Sequence, residues 1–204
     1  MEFQLRKTNE LALAEKERIC DLFREVFDLE KPLEQFLSQF ERNAFGYSYH
    51  GLMLDAGRIV GCYTSIPFRY HCFGKEEVFA LSVDTMIHPD YRGSPFNLKK
   101  MAESVYAGLK ADGITFVFGS PNDNIYLVRK KILKWVDITE LDFHVLPLRI
   151  GALKAWLKPL DPASRLFAML VNAVCGGSQA SAWTAGASFP VEKANGEDFV
   201  SYRF

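Results

Sequence analysis

The chain has little material for metal or disulfide chemistry. It carries four cysteines and four histidines in 204 residues, with no C-x-x-C pair and no Cys/His spacing of the kind zinc sites use. No metal site is expected, and Cys20, Cys62, Cys72 and Cys175 read as buried thiols of a reducing compartment. Cys62 and Cys72 could face each other across a hairpin, although apolar packing accounts for them better. Charge of one sign is also lacking: 24 Lys and Arg stand against 25 Asp and Glu, a formal net charge of −1. That balance removes the global electrostatic case for nucleic acid or an anionic membrane. There is no charged-then-apolar leader at Met1 and no apolar run near the ~20 residues of a spanning helix, so a cytoplasmic location is the expectation. What the chain does have is apolar residues, 49% of the total with 17 phenylalanines. That is enough for one sizeable core, or for one domain and an appendage.

Periodicity orders the N-terminal part. Phe3-Gln4-Leu5-Arg6 can form a first strand, and Ile19, Leu22, Phe23, Val26 and Phe27 recur on one helical face. Pro32 opens a second helix carrying Leu33, Phe36, Leu37 and Phe40. Residues 49–54 and 58–63 flank Asp55-Ala56-Gly57, a hairpin signal. A further strand over 67–72 turns through Phe73-Gly74-Lys75 into a long apolar strand over 78–87.

That long strand is apolar on both faces, as a central strand covered on each side would be. By simple alternation its polar exceptions, Ser82 and Asp84, share one face. His88-Pro89 ends it. After Asp90-Tyr91-Arg92-Gly93-Ser94, the residues Leu98, Met101, Ala102, Val105 and Leu109 form one helical stripe that stops near Asp112-Gly113. Phe116-Val117-Phe118 returns as a strand. Such a crossover is right-handed and brings the helix N-terminus to the carboxyl edge of the strand. There the unpaired first-turn N–H groups, the helix dipole and Arg92 suit a diphosphate, and Gly93 permits close backbone approach. Ser94-Pro95 reads as an N-cap with proline at the first helical position. A plain capped helix start would carry the same residues.

Ile87-His88-Pro89-Asp90-Tyr91-Arg92-Gly93 resembles the V-x-P-x-Y-R-G opening of the acyl-CoA loop in the GNAT superfamily of acyl-CoA N-acyltransferases. In that family the loop usually reads R/Q-x-x-G-x-G/A; here Pro95 and Asn97 stand where the two small residues belong. Gly119-Ser120-Pro121-Asn122, a short helix with Ile125, Leu127, Val128 and Ile132, and then Leu133-Lys134-Trp135 follow. They resemble the G-F-P-N, helix, K-L-G-W/F arrangement of members associated with bacterial polysaccharide synthesis, with Lys134 in place of the usual glycine. Residues 198–204 resemble the F-L-x-W-R-Y segment that leads into a second half in longer relatives of that group. The resemblance implies an α/β GNAT fold over residues 1–147, a mixed central sheet flanked by helices. Residues 148–204 would be a C-terminal helical and extended appendage packing on it. It also implies transfer of an acetyl or other acyl group from acetyl-CoA to a primary amine on a small molecule, an amino sugar among the candidates. The alternative is a catalytically inactive GNAT-fold binding module, which the departures at Pro95, Asn97, Lys130 and Lys134 would suit.

Carried onto this chain, the resemblance puts the thioester against the main chain of Met86, Ile87 and His88. It puts the rest of the cofactor over Arg92, Gly93, Ser94, Phe96 and Asn97, with contacts from Asn122 and Asn124; Pro121-Asn122 is equally a turn. Asp84 and His88 are the titratable groups nearest the acyl position and are candidate bases, directly or through a water. Asp84 could instead pair with an arginine such as Arg69, and His88 could hydrogen-bond a turn. The family tyrosine that protonates the departing thiolate would fall close to Lys130. Tyr126, one turn earlier, is the candidate acid, its ring equally suited to packing. Arg129-Lys130-Lys131 reads as a solvated face or a contact for the CoA phosphates. Phe36, Phe40, Phe45, Tyr47 and Phe143 would line an aromatic acceptor pocket, or the core. In the C-terminal part, Ala152, Leu153, Trp156 and Leu157 suggest a short amphipathic helix ended by Pro159, and residues 163–175 another. Residues 177–188 have linker composition. The two helices could pack on the domain or on a second copy as a homodimer, or Trp156, Leu157 and Lys158 could touch a membrane surface peripherally. No nucleic-acid partner is expected.

Overall fold

The N-terminal strand and helix signals become β1 (Glu2–Lys7), α1 (Leu13–Phe27) and α2 (Leu33–Phe40) in the computed structural model, which describes residues 1–139, 149–152, 154–175 and 191–193. Asp28, at a left-handed φ of 55°, ends α1, and Pro32 is the N-cap of α2 rather than its first helical residue. β2 (Tyr49–Asp55) and β3 (Arg58–Cys72) are joined by Ala56-Gly57 at φ 46° and 79°, as a two-residue hairpin loop requires. Phe73 and Gly74, at 49° and 78°, repeat the device between β3 and β4 (Lys75–Ile87). Then come α3 (Pro95–Ala111), β5 (Phe116–Phe118), α4 (Asp123–Ile132), α5 (Asp161–Cys175) and β6 (Val191–Lys193).

The strands lie in the order β1-β2-β3-β4-β5, antiparallel as far as β4, with β5 parallel to β4. β6 pairs with the far end of β3 at Tyr70–Cys72. Helices α1 and α2 bury one face, packing Ile19, Leu22, Phe36 and Phe40 against Leu52, Ile66 and Met86. Helix α3 buries the other, with Leu98, Met101, Val105 and Leu109 against Met53, Tyr63 and Ala80. A sheet covered on both faces explains the unbroken apolar character of its central strands. Gly51 lets α3 lie close, since a Cβ there would run into the Met101 carbonyl.

The structure departs from the sequence pattern at several places. β3 is one strand running through Pro67, not two. Its pairing with β2 ends at Ser65 and its pairing with β6 begins at Tyr70, so among the described residues no strand lies beside Pro67 on that edge, where a missing donor is tolerated. Cys62 and Cys72 therefore share a strand and cannot face each other across a hairpin; with Cys20 they are free thiols. In β4 the register moves from Cys62↔Met86 to Thr64↔Val83, and the extra residue is taken up by a bulge with Asp84 at φ 45°. The bulge separates Ser82 from Asp84. Ser82 meets Tyr63 on the α3 side, while Val83 packs with the α1–α2 core and Asp84 reaches Lys31.

The chain divides into two compact units, Met1–Val136 with Pro190–Phe204, and Asp137–Phe189. The division falls before residue 147, and β6 attaches the end of the chain to the first unit through its ladder with β3. In the second unit, Ala155–Leu160 is a 3-10 turn that runs through Pro159 instead of stopping at it. A turn this short loses little by the missing N–H. Asp161 accepts a hydrogen bond from the Gly151 N–H at 2.7 Å, and Trp156 is 73% exposed. Phe143 and residues 177–188 and 198–204 lie outside the described residues. Among the described residues no helix is long and apolar enough to cross a membrane.

Candidate active site

The pairing of β4 with β5 covers only Phe79↔Phe116, Ala80↔Val117 and Leu81↔Phe118. Beyond it the chain turns away toward α4, and among the described residues no strand lies beside the β4 edge from Ser82 to Ile87. Gly119 stands at the parting, where a Cβ would lie 2.9 Å from the Ser82 carbonyl oxygen and 3.1 Å from the Arg129 guanidinium. On its other edge β4 stays bound to β3, and the His88 N–H donates to the Val60 carbonyl at 2.9 Å. Antiparallel alternation then turns the Met86 amide to β3 as well and the Ile87 amide into the notch. Of the three amides expected to meet a carbonyl, Ile87 faces the opening.

The loop after β4 is tightly tied. The His88 Nδ1 accepts from the Asp90 N–H at 3.3 Å, and its Nε2 lies 3.9 Å from Glu25. The Arg92 Nε donates to the Ile87 carbonyl at 2.9 Å, while the side chain stays exposed. The Tyr91 hydroxyl donates to Asp55 at 2.7 Å, and the Asn97 amide donates to the Tyr91 carbonyl at 3.0 Å. α3 starts with Pro95 in its first turn, but the Ser94 side chain makes no cap bond. Among the described residues, the N–H groups of Gly93, Ser94 and Phe96 meet no acceptor. A Cβ at Gly93 would point into open space, so this glycine contributes room rather than an unusual backbone.

Across the strand, Asp84 is paired with Lys31 and not with Arg69, which pairs with Glu76 at 2.5 Å. Lys31 is 6% exposed; its ammonium lies 4.5 Å over the Phe23 ring and 4.8 Å over the Phe40 ring, and donates to the Gln39 side chain at 2.9 Å. Nothing periodic marks this lysine in the sequence. Phe36 and Phe40 are buried core residues packed on His50, with ring centroids at 5.8 and 5.5 Å. His50 is fully buried between the Thr8 and Thr64 hydroxyls at 2.8 and 3.1 Å, and burial pulls its pKa down to about 3. Phe45 and Tyr47 are half-buried neighbours.

On the α4 side, the basic run splits. Lys130 and Lys131 are exposed, whereas Arg129 turns inward and is 4% exposed. Its Nη2 donates to the Thr85 hydroxyl at 2.8 Å, and its guanidinium lies 4.6 Å over the Trp135 ring and 5.8 Å over that of Tyr63. Its Nε and Nη1 are buried without a hydrogen-bond partner. Burial lowers its pKa from the ordinary guanidinium value. The Tyr63 and Tyr106 hydroxyls meet at 2.9 Å, and the Trp135 N–H donates to Tyr106 at 2.9 Å, which fixes the surrounding rings. The Tyr126 hydroxyl accepts from Lys130 at 3.1 Å. Asn122 and Asn124 are exposed at the start of α4, where the Asn122 carbonyl accepts from the Tyr126 N–H at 3.0 Å. Among the described residues no cluster of His, Cys, Asp and Glu could hold a metal ion.

A family model described as an acetyltransferase (GNAT) domain matches residues 7–129. No curated protein matches the chain. Among solved structures, a predicted acetyltransferase from Clostridium acetobutylicum, solved with acetyl-CoA, superposes with TM-score 0.57 at 14% identity, covering 71% of this chain and 97% of that one. Glucosamine-6-phosphate N-acetyltransferase from Arabidopsis thaliana gives 0.51 at 15% identity, covering 71% and 99%. These similarities establish the fold. A conserved protein of unknown function from Enterococcus faecalis V583 matches 62% of this chain at 17% identity and TM-score 0.49, and this chain spans 31% of it.

Proposed function

The chain belongs to the GNAT acetyltransferase family, and from that premise we propose that it is an N-acyltransferase moving an acetyl group from acetyl-CoA to the primary amine of a small molecule, with an amino sugar the first acceptor to try. The observation that carries this reading is the open β4 edge ending beside uncommitted amides. The Ile87 N–H faces a notch, and a few residues on, the N–H groups of Gly93, Ser94 and Phe96 stand free beside the Arg92 guanidinium. The first suits a thioester carbonyl and the second a diphosphate. Pro95 removes one donor that the helix would not have used.

In this reading the Ile87 amide polarises the thioester, and the acceptor amine attacks from the α1–α2 side, where the Asp84 carboxylate takes the ammonium proton directly or through a water. Lys31 holds that carboxylate at the bulge. Tyr126, whose hydroxyl accepts from Lys130, is given no step in this reading. The amino-sugar acceptor is supported by the fold shared with a glucosamine-6-phosphate N-acetyltransferase and by the motif resemblance around Trp135.

Calorimetry with acetyl-CoA and CoA tests the cofactor. Micromolar binding is expected, and absence of binding at high micromolar ligand would favour a non-catalytic module, for which Asn97 tied to the Tyr91 carbonyl is the supporting contact. Thiol release across a panel of amino sugars and amino acids then separates an enzyme from a protein that only retains CoA.

A further inference from the structure

Among the described residues, Arg129 is a buried cation without a counter-ion. Taking a guanidinium out of water is costly unless hydrogen bonds and an opposite charge replace its hydration. Here the Trp135 and Tyr63 rings and one bond to Thr85 replace part of it, and two nitrogens remain unmet. The described groups facing it offer no anion. Tyr63 from β3 is held neutral, its pKa pushed well above the usual range by burial, and Tyr106 from α3 is spent on Tyr63 and Trp135. Asp84, the next residue along β4, is turned to the opposite face and engaged by Lys31.

The uncompensated charge sits against the open edge of β4. Thr85 is half-buried, and having accepted a hydrogen bond from Arg129 its hydroxyl still has its own hydrogen to donate. In an acyl transfer along this edge, the anion that appears is the sulfur of the leaving group. Resting on the acyl-CoA reading above, we infer that Arg129, acting through the Thr85 hydroxyl, holds departing CoA as a thiolate. The amine lone pair forms the C–N bond and the C–S electron pair goes to sulfur. The ammonium proton goes to the base on the Asp84 side. Sulfur keeps its negative charge, hydrogen-bonded by Thr85 and balanced by the guanidinium, until CoA dissociates and takes a proton from solvent. Arg129 lends no proton, because a guanidinium does not give one up in this pH range. It is a positioning residue, and Thr85 is the group that would touch sulfur.

The test is the acidity of the bound thiol. Ultraviolet thiolate absorbance of CoA bound to the whole chain, followed against pH, should show the thiol at least tenfold more acidic than in free CoA. In Arg129→Met and in Thr85→Val that gain should fall to less than about twofold, while the affinity for S-methyl-CoA, which has no thiolate, changes less than about threefold. His88, Arg92, Lys31 and Asp84 are common to all three proteins, so the difference reports the Arg129–Thr85 pair. A bound thiol that titrates as in free CoA, or that is equally acidic in the variants, overturns the inference while leaving the acyl-CoA reading intact. Failure of both CoA and S-methyl-CoA to bind the unmutated chain overturns both. Should Arg129→Met not fold, Thr85→Val decides alone, since it removes a half-exposed hydroxyl and no charge.

Discussion

Asp84 carries two loads that mutation can separate. Asp84→Asn removes the counter-charge of a lysine buried among phenylalanine rings and should cost about 3 kcal/mol of stability as well as activity. Lys31→Met combined with Asp84→Asn should recover most of that stability in denaturant titrations without recovering thiol release. If the double variant regained activity, Asp84 would not be the base. His50 gives a separate prediction in pH. Its folded pKa of about 3 lies below the ordinary 6.5, so the unfolded chain binds the extra proton. The contribution is fully present above pH 6.5 and is lost as pH falls toward 3. Between pH 7 and 5 this residue should account for about 2 kcal/mol, and His50→Gln should flatten the stability profile by that amount. At this scale the sequence was legible where a residue's place follows from a local motif, as with the position of Arg92 and Gly93 in the loop before α3. It was silent where partners come from distant elements: Lys31 lies in a polar connection and Arg129 in a basic run, and only the fold brings them to β4.

Among the elements, strand–helix–strand order and hairpins could be read from periodicity and turn residues because both are local. The β4 bulge could not, because alternation carries no marker for an aspartate at positive φ. One inserted residue reversed the face assigned to Asp84 and with it its partner, and Pro67 suggested a break that a strand edge with no described neighbour does not require. Where β4 and β5 part, Gly119 has no room for a side chain. Gly119→Ala presses a methyl group against the Ser82 carbonyl and should cost about 1–3 kcal/mol, lowering Tm by roughly 2–4 °C per kcal/mol in a chain of this size. Calorimetric scans check it. A variant as stable as the original would mean that the chain there yields to the added methyl group.

At the scale of the whole molecule, a ligand that binds only the folded first unit must raise its stability. Acetyl-CoA at a hundred times its Kd should add about 2.7 kcal/mol. Arg92→Ala should weaken binding by about 1–3 kcal/mol and shrink that gain at fixed ligand, with little effect on the free protein because the side chain is exposed. Parallel thermal scans with and without cofactor read both quantities.

The ladder between β6 and the end of β3 has a consequence for the newly made chain. Its partners are separated by all of α3, β5 and α4 and by the whole second unit, so closing it carries the entropy of a very long loop. On the ribosome, the first five strands can therefore assemble while the Tyr70–Cys72 margin still waits for its partner, and a matching strand from a neighbouring nascent copy could occupy it in the interval.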